Sequence, residues 1–307
     1  MFKNLIVYRI AAGWSVGAAE MEAALAKSRF VECGATQPLS FGWTEPRGIA
    51  HGQLAEVVAG QLLLKLATEQ KVLPASVVKR RVDAMAAHIE KSSGRKPGKK
   101  QKKELKEEAL LELLPQAFTK QAAINVWIDA KQMLLMVDAS SPARADEVVT
   151  LLVKSFDGLS ISQAATVESP AVAMTRWLAT GDVPTGFSID RECELKSADE
   201  MKSVVRYARH ALDTDEVRRH IQEGKLPTKL ALTWQGRVSF LLTEAMQVKK
   251  IAFLDGVFDG PGASGGDDDR FDADAAIATG ELRQLIPDLL AALGGEQDDE
   301  AAAVNAG

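Results

Sequence analysis

Leu230-Ala231-Leu232-Thr233-Trp234-Gln235-Gly236-Arg237-Val238-Ser239-Phe240-Leu241-Leu242 reads as two apolar strands reversing at Gln235-Gly236. A two-residue connection with glycine second suits the primed turns of antiparallel hairpins, whose central residues need positive φ. Outward from this hairpin, strand patterns are expected at 186–195, 202–209, 227–234, 237–243 and 248–254, with a helix near 214–223. Towards the N-terminus, residues 2–10 and Gln61–Ala67 read as strands. Ile124–Asp129 and Met133–Asp138 form a hairpin about Ala130-Lys131-Gln132. Helices are expected at 17–28, from Pro142 to about Phe156 with Val148, Leu151 and Leu152 inward, and at 170–180 around Trp177. Strands and helices do not alternate as a βαβ series, so the fold class is α+β with mostly antiparallel sheet.

One segment departs from this pattern. After Pro74 and Ser76, the apolar residues Val78, Val82, Met85 and Ile89 recur every three or four positions, as one face of a helix. Ser92-Ser93-Gly94 and Pro97-Gly98 interrupt it. A second helix with Leu105, Ala109 and Leu113 follows, ending near Pro115. The two make a helical hairpin, expected to project from the body as a finger. The implied division is a body over 1–75, a basic finger over 76–116 and a second body segment over 117–258. A linker over 259–270, a helix over 271–294 and a disordered acidic tail over 295–307 complete it.

The charge of the chain is −5, but it is unevenly spread. Between Lys79 and Lys106, eleven lysines and arginines face only Asp83, Glu90 and Glu104, a local net of +8. From Asp255 onward, thirteen acids face Arg270 and Arg283, a net of −11. Some of the basic charge fits i,i+4 pairs, Lys100 with Glu104 and Lys103 with Glu107. The excess remains, and the turn Gly94-Arg95-Lys96-Pro97-Gly98-Lys99-Lys100 concentrates it at an exposed tip. Such a surface binds phosphates without reading sequence, and does so less well as salt rises. A nucleic acid is the expected partner, with double-stranded DNA, single-stranded DNA and RNA all left open at this point. The candidate contacts are Lys79, Arg80, Arg81, Arg95, Lys96, Lys99, Lys100, Lys102, Lys103 and Lys120. A second basic stretch adds Arg206, Arg209 and His210. If 202–209 is a strand, Lys202, Val204, Arg206 and Ala208 share one face.

Catalytic patterns are sparse. His51, His88, His210 and His220 show no metal-ligand spacing, and neither a phosphate-binding P-loop nor a dinucleotide fingerprint occurs. Gly262-Ala263-Ser264-Gly265-Gly266 satisfies the nucleophile-elbow pattern. It sits in a Gly/Asp-rich stretch followed by three aspartates, a poor setting for an oxyanion, so a linker is the expected reading. A hydrolase using Ser264 stays open as a rival. Cys33 and Cys193 form no CxxC pair and are expected to be buried free thiols. No signal-peptide pattern or membrane-length apolar run occurs, which suggests a cytoplasmic protein with no cofactor, metal or small-molecule substrate.

Several stretches together resemble a known family. Phe2-Lys3-Asn4-Leu5-Ile6-Val7-Tyr8-Arg9, Leu113-Leu114-Pro115-Gln116-Ala117-Phe118, Val126-Trp127-Ile128-Asp129 and Thr228–Trp234 are similar to RdgC, the bacterial recombination-associated proteins. Arg270-Phe271-Asp272-Ala273-Asp274 followed by Thr279-Gly280-Glu281-Leu282 resembles the family's C-terminal signature. The resemblance implies a non-enzymatic, nucleoid-associated homodimer. Its horseshoe-shaped subunits would close a ring around duplex DNA and restrain RecA-promoted strand exchange. It further implies that Phe118 lies where subunits meet, and that Arg209 and His210 match a basic pair near the inner surface. Gln116 stands where the family tends to have a basic residue, which weakens a phosphate contact there. A general nucleoid-architectural or RNA-binding protein remains the alternative.

Overall fold

A computed structural model describes residues 2–258 and 267–297. Twelve strands form one sheet: β1 Leu5–Ile10, β2 Leu39–Thr44, β3 Ala55–Val58, β4 Gln61–Val72, β5 Phe118–Asp129, β6 Leu134–Val137, β7 Ile161–Gln163, β8 Phe187–Ser197, β9 Val204–Ala208, β10 Lys225–Trp234, β11 Val238–Thr243 and β12 Gln247–Phe253. Seven α-helices accompany them among the described residues: α1 Ala18–Ala26, α2 Ala75–Ser93, α3 Lys99–Leu113, α4 Pro142–Ser155, α5 Pro170–Thr180, α6 Asp215–Gln222 and α7 Asp267–Ala292. The strand order is β2-β4-β5-β6-β1-β12-β11-β10-β8-β9, with β3 also on β4 and β7 on β1. Every ladder is antiparallel, as the α+β reading requires.

Alternation along the strands sorts the core into two layers. On β1, Leu5 and Val7 point to one face while Ile6, Tyr8 and Ile10 point to the other. The first face runs the width of the sheet and is covered by α5, α6 and α7 through Trp177, Val217, Leu282, Leu285 and Leu289. The second face is covered only over its N-terminal half, by Met21 and Leu25 of α1 and Val148 and Leu152 of α4. Over β8–β12 no helix among the described residues covers that second face. It presents Asp190, Glu192, Glu194, Arg206, Lys229 and Lys249 instead, as expected for antiparallel sheet with one wet side.

Several boundaries move relative to the sequence reading. The opening hairpin turns over Gln235 (φ 50°) and Gly236 (φ 64°), the left-handed pair a primed turn needs. Arg237 is an extra residue, so Trp234 pairs with Val238 and β11 starts one position later than expected. β2 and β3 were not anticipated. In β2, Gly42 is required because a Cβ there would lie 2.6 Å from the backbone of Phe30, whose N–H donates to Trp43 O. The strand expected at 202–209 covers only Val204–Ala208, since Lys202 (φ 45°) and Arg209 (φ 56°) leave extended geometry.

At the C-terminus, α7 begins at Asp267, inside the expected linker, and ends at Ala292. Ser264 and the rest of 259–266 lie outside the described residues, as does 298–307. Gly295–Gln297, assigned to a disordered tail, instead pairs with the body. Val167 N donates to Gly295 O, Gln297 N donates to Ala165 O, and Glu296 forms an ion pair with Arg9. Cys193 is a buried free thiol, pushed up to about 12 by burial and by Glu194, whereas Cys33 is only half-buried. No described helix is long and apolar enough to cross a membrane.

Candidate nucleic-acid interface

The long strands β4 and β5 pair along their whole length, from Leu62↔Ile128 to Val72↔Phe118. Their inner halves are core, with Leu64, Leu66, Ile124 and Val126 buried. Their outer halves differ: Thr68 and Glu69 of β4 are buried beside β2, whereas residues 118–123 of β5 are all exposed. The helices α2 and α3 continue from this ribbon. Val78, Leu105 and Ala109 are buried between them, with Val82, Met85 and Ile89 half-buried along the same seam. Gly94 caps α2 in the left-handed region (φ 70°), and its N–H donates to Glu90 O. Arg81 ties the helices together through Glu112 at 2.7 Å.

This seam leaves the charged side chains on the outside. Lys79, Arg80, Arg81, Arg95, Lys96, Lys99, Lys100, Lys102 and Lys103 are all exposed, as is Lys120 on β5. Carboxylates engage few of them. Beyond Arg81, Lys96 lies 3.8 Å from Glu90 and Lys103 lies 4.0 Å from Glu107, both at highly exposed positions where pairing contributes little. Lys79, Arg80, Arg95, Lys99, Lys100 and Lys102 make no ion pair with a described residue. The pairing expected between Lys100 and Glu104 does not form.

Phe118 opens β5 and is 87% exposed, so it is not a core residue. Its register partner Val72 is also exposed. Cross-strand pairing places Leu39 and Phe41 of β2, both exposed, on the same face of the ribbon. An uncovered group of this kind on one face of a ribbon is the pattern of an interaction surface.

The second basic group sits far away. β5 and β9 are seven strand steps apart, roughly 34 Å across the sheet at about 4.8 Å per step. On β9, Arg206 is already engaged, donating to Glu194 Oε2 at 2.6 Å. Lys229 Nζ at 3.0 Å and Thr228 Oγ1 at 2.8 Å share the same carboxylate. Although partial burial pushes Glu194 up, these three donors outweigh it and hold the carboxyl down at about 2. A depressed carboxyl contributes stability above its ordinary value of 4.5 and loses it as pH falls towards 2. Glu194→Gln is therefore expected to flatten the acid limb of stability between those values, measured by urea unfolding across pH.

Arg209 and His210 are exposed. The His210 ring lies 5.6 Å from that of Tyr207, and its Nδ1 is 2.6 Å from Ala211 O. The fold therefore brings the finger cations together, keeps Arg209 and His210 as a separate group, and neutralises Arg206. Arg191, an exposed β8 residue that lines the same hollow as Arg209, has no signal in the sequence. His210 N donates to its carbonyl, and both arginines line one hollow.

The comparisons with known proteins agree with one another. A family model described as "Putative exonuclease, RdgC" matches residues 1–296. The "Recombination-associated protein RdgC" of Cupriavidus necator is 47% identical over 297 residues, covering 96% of this chain and 99% of the relative. Those of Herminiimonas arsenicoxydans and Bordetella pertussis are 45% and 44% identical over the same length, with 96% of this chain and 98% and 99% of the relatives covered. With a whole-length model and relatives so similar, this chain belongs to the RdgC family of recombination-associated proteins.

Proposed function

We propose that this protein binds duplex DNA without sequence preference, as a homodimer that encircles it, and so restrains RecA-promoted recombination at the nucleoid. The observation that carries the DNA reading is the α2–α3 pair. Six of the candidate cations there are exposed and make no ion pair with a described residue, a surface whose counter-charge would come from a bound polyanion. The recombination-associated names of the relatives support DNA as that polyanion. A finger projecting on the β4–β5 ribbon, with Phe118, Val72, Leu39 and Phe41 uncovered at its root, suits a contact between two copies. Closing two horseshoe subunits into a ring would retain the duplex topologically while the phosphate contacts stay weak and mobile.

A second reading follows from the word exonuclease in the family description. Hydrolysis of a phosphodiester by metal ions uses clustered acidic or histidine ligands. Among the described residues no three His, Cys, Asp or Glu side chains group in that way. Our reading is of a protein that holds DNA and leaves it intact.

The test is a salt titration with end-labelled duplexes of unrelated sequence, followed by electrophoresis after incubation with magnesium or manganese. About six phosphate contacts predict a fall of roughly a thousandfold between 50 and 200 mM salt, the same for each duplex, with the label retained at full length. Affinity that is flat with salt overturns the DNA reading. Progressive shortening of the label establishes the nuclease, and a preference for structured RNA in competition favours a general RNA-binding role.

A further inference from the structure

We infer that Arg191 and Arg209 together form a seat for a single phosphate group of the DNA backbone on the helix-free face of the sheet, an inference that rests on the DNA reading above. Both line a hollow of about 280 Å³ together with Ala231 and Lys250. Each of these three basic residues stands on a backbone irregularity. The β8–β10 register shifts between Leu232↔Ile189 and Leu230↔Cys193, so Asp190-Arg191-Glu192 bulges opposite Ala231. Arg209 leaves β9 in the left-handed region at φ 56°, held there as His210 N donates to Arg191 O at 3.1 Å. Lys250 has φ 52° at the shift between β11 and β12. Bulges re-aim side chains, and left-handed arginine and lysine are conformations that regular strands avoid. Three of them meeting at one hollow place three cations where a flat sheet would disperse them.

The charges around the hollow are unequally satisfied. Lys250 Nζ donates to Glu192 Oε1 at 2.6 Å, which neutralises both. Asp190 Oδ2 accepts from Thr233 Oγ1 at 2.8 Å and is the remaining carboxylate. Neither Arg191 nor Arg209 makes a side-chain hydrogen bond or ion pair with a described residue, although both are exposed beside the same opening. Two guanidinium groups lining one hollow repel, and an anion taken up there reverses that term. Guanidinium donors fork onto phosphate oxygens, so the matching ligand is a phosphodiester. A strand of DNA lying along this face supplies it. Of the sequence candidates Arg206, Arg209 and His210, Arg209 belongs to this seat, whereas Arg206 is bound to Glu194.

The test is fluorescence anisotropy of the full-length chain with a labelled duplex at several salt concentrations. Arg191→Gln, Arg209→Gln and the double variant are compared with Arg176→Gln, which removes a guanidinium paired with Glu168 elsewhere. Each single variant is expected to lose up to about tenfold in affinity but only a fraction of a unit of salt slope, since the other guanidinium still faces the phosphate. The double variant should lose about one unit in all, because one shared phosphate is lost only once. Thermal melting checks that each variant is folded, and Arg191→Lys, which keeps the charge, should keep the slope while losing affinity. An Arg191→Gln variant that matches the parent, on a parent slope that is steep, overturns the seat and leaves DNA binding standing. A double variant that loses two units of slope shows two independent contacts and also overturns it. A flat parent slope removes the DNA reading and this inference with it.

Discussion

Replacing Lys99, Lys100, Lys102 and Lys103 together by glutamine is expected to weaken duplex DNA binding at least a hundredfold near 0.1 M salt, with no change in thermal stability. The four residues occupy the first turn and a half of α3, directly after the tip Gly94–Gly98. All are exposed, and among the described residues their ion pairing is confined to Lys103 and Glu107 at 4.0 Å. A distance of that kind between two exposed side chains contributes at most a few tenths of a kcal/mol, so the fold has little to lose. Removing positive charge from the positive end of the helix dipole even favours α3 slightly. If each lysine touches one phosphate, the salt slope falls by about 3.6 units. Anisotropy against salt for parent and variant reads both quantities, and an unchanged slope would show that DNA does not reach the finger.

Separation of the two basic groups has a consequence for the ligand. The finger springs from β4 and β5, while Arg191 and Arg209 lie at the β8–β9 edge, roughly 34 Å away across a twisting sheet. A short anion meets only one of them. A duplex is long and carries charge at regular spacing, so it is the kind of polyanion able to meet both. Losses at the finger and at the β8–β9 edge should therefore add in free energy, as distant sites do, in contrast to the shared loss expected within the arginine pair.

What could be read from the sequence follows from how local each signal is. The α2–α3 seam was legible because Val78, Val82, Met85, Ile89, Leu105 and Ala109 keep helical spacing, and glycines mark both sides of the tip. The β10–β11 hairpin was legible because Gln235-Gly236 supplies its own turn. β2 has alternating apolar residues in Leu39, Phe41 and Trp43, but Leu39 and Phe41 are exposed, so the alternation does not mark a buried face. The outer half of β5 was hidden because 118–123 has no buried face and is a strand through its pairing with β4. Exposure of Phe118 depends on the same ribbon and could not be told from core packing by residue type. Arg191 had no local signal at all. Its role depends on a bulge set by β10, on the geometry of Arg209 after β9, and on the capture of Arg206 by Glu194. The family resemblance supplied identity across the whole length, but the pairing state of each cation had to come from the fold.

Trp127→Ala is expected to destabilise the protein by about 3–5 kcal/mol, a large part of the 5–15 kcal/mol that holds a typical domain. Trp127 is buried in β5 between Leu63 of β4 and Met136 of β6, packs its ring 6.0 Å from that of Phe2, and donates from Nε1 to Gln61 Oε1 at 2.7 Å. Truncation leaves a cavity and also strands the Gln61 amide, which is itself buried. Trp127→Phe separates the two contributions. It keeps most of the ring volume but abandons the hydrogen bond, so a loss of about 1–3 kcal/mol is expected from the unpaired Gln61 alone. Urea unfolding of the three proteins gives the ranking, and equal losses for Phe and Ala would place the whole effect on the hydrogen bond. Under conditions where Trp127→Ala remains folded, its DNA affinity and salt slope should match the parent, because Trp127 carries no charge and lies at the far end of β5 from Phe118 and Lys120. The lysine variant loses DNA and keeps its stability, and the tryptophan variant does the reverse. Observing both would separate the sheet as scaffold from the finger as contact, and a Trp127→Ala variant that loses salt slope while folded would show that the ribbon transmits core packing to the finger.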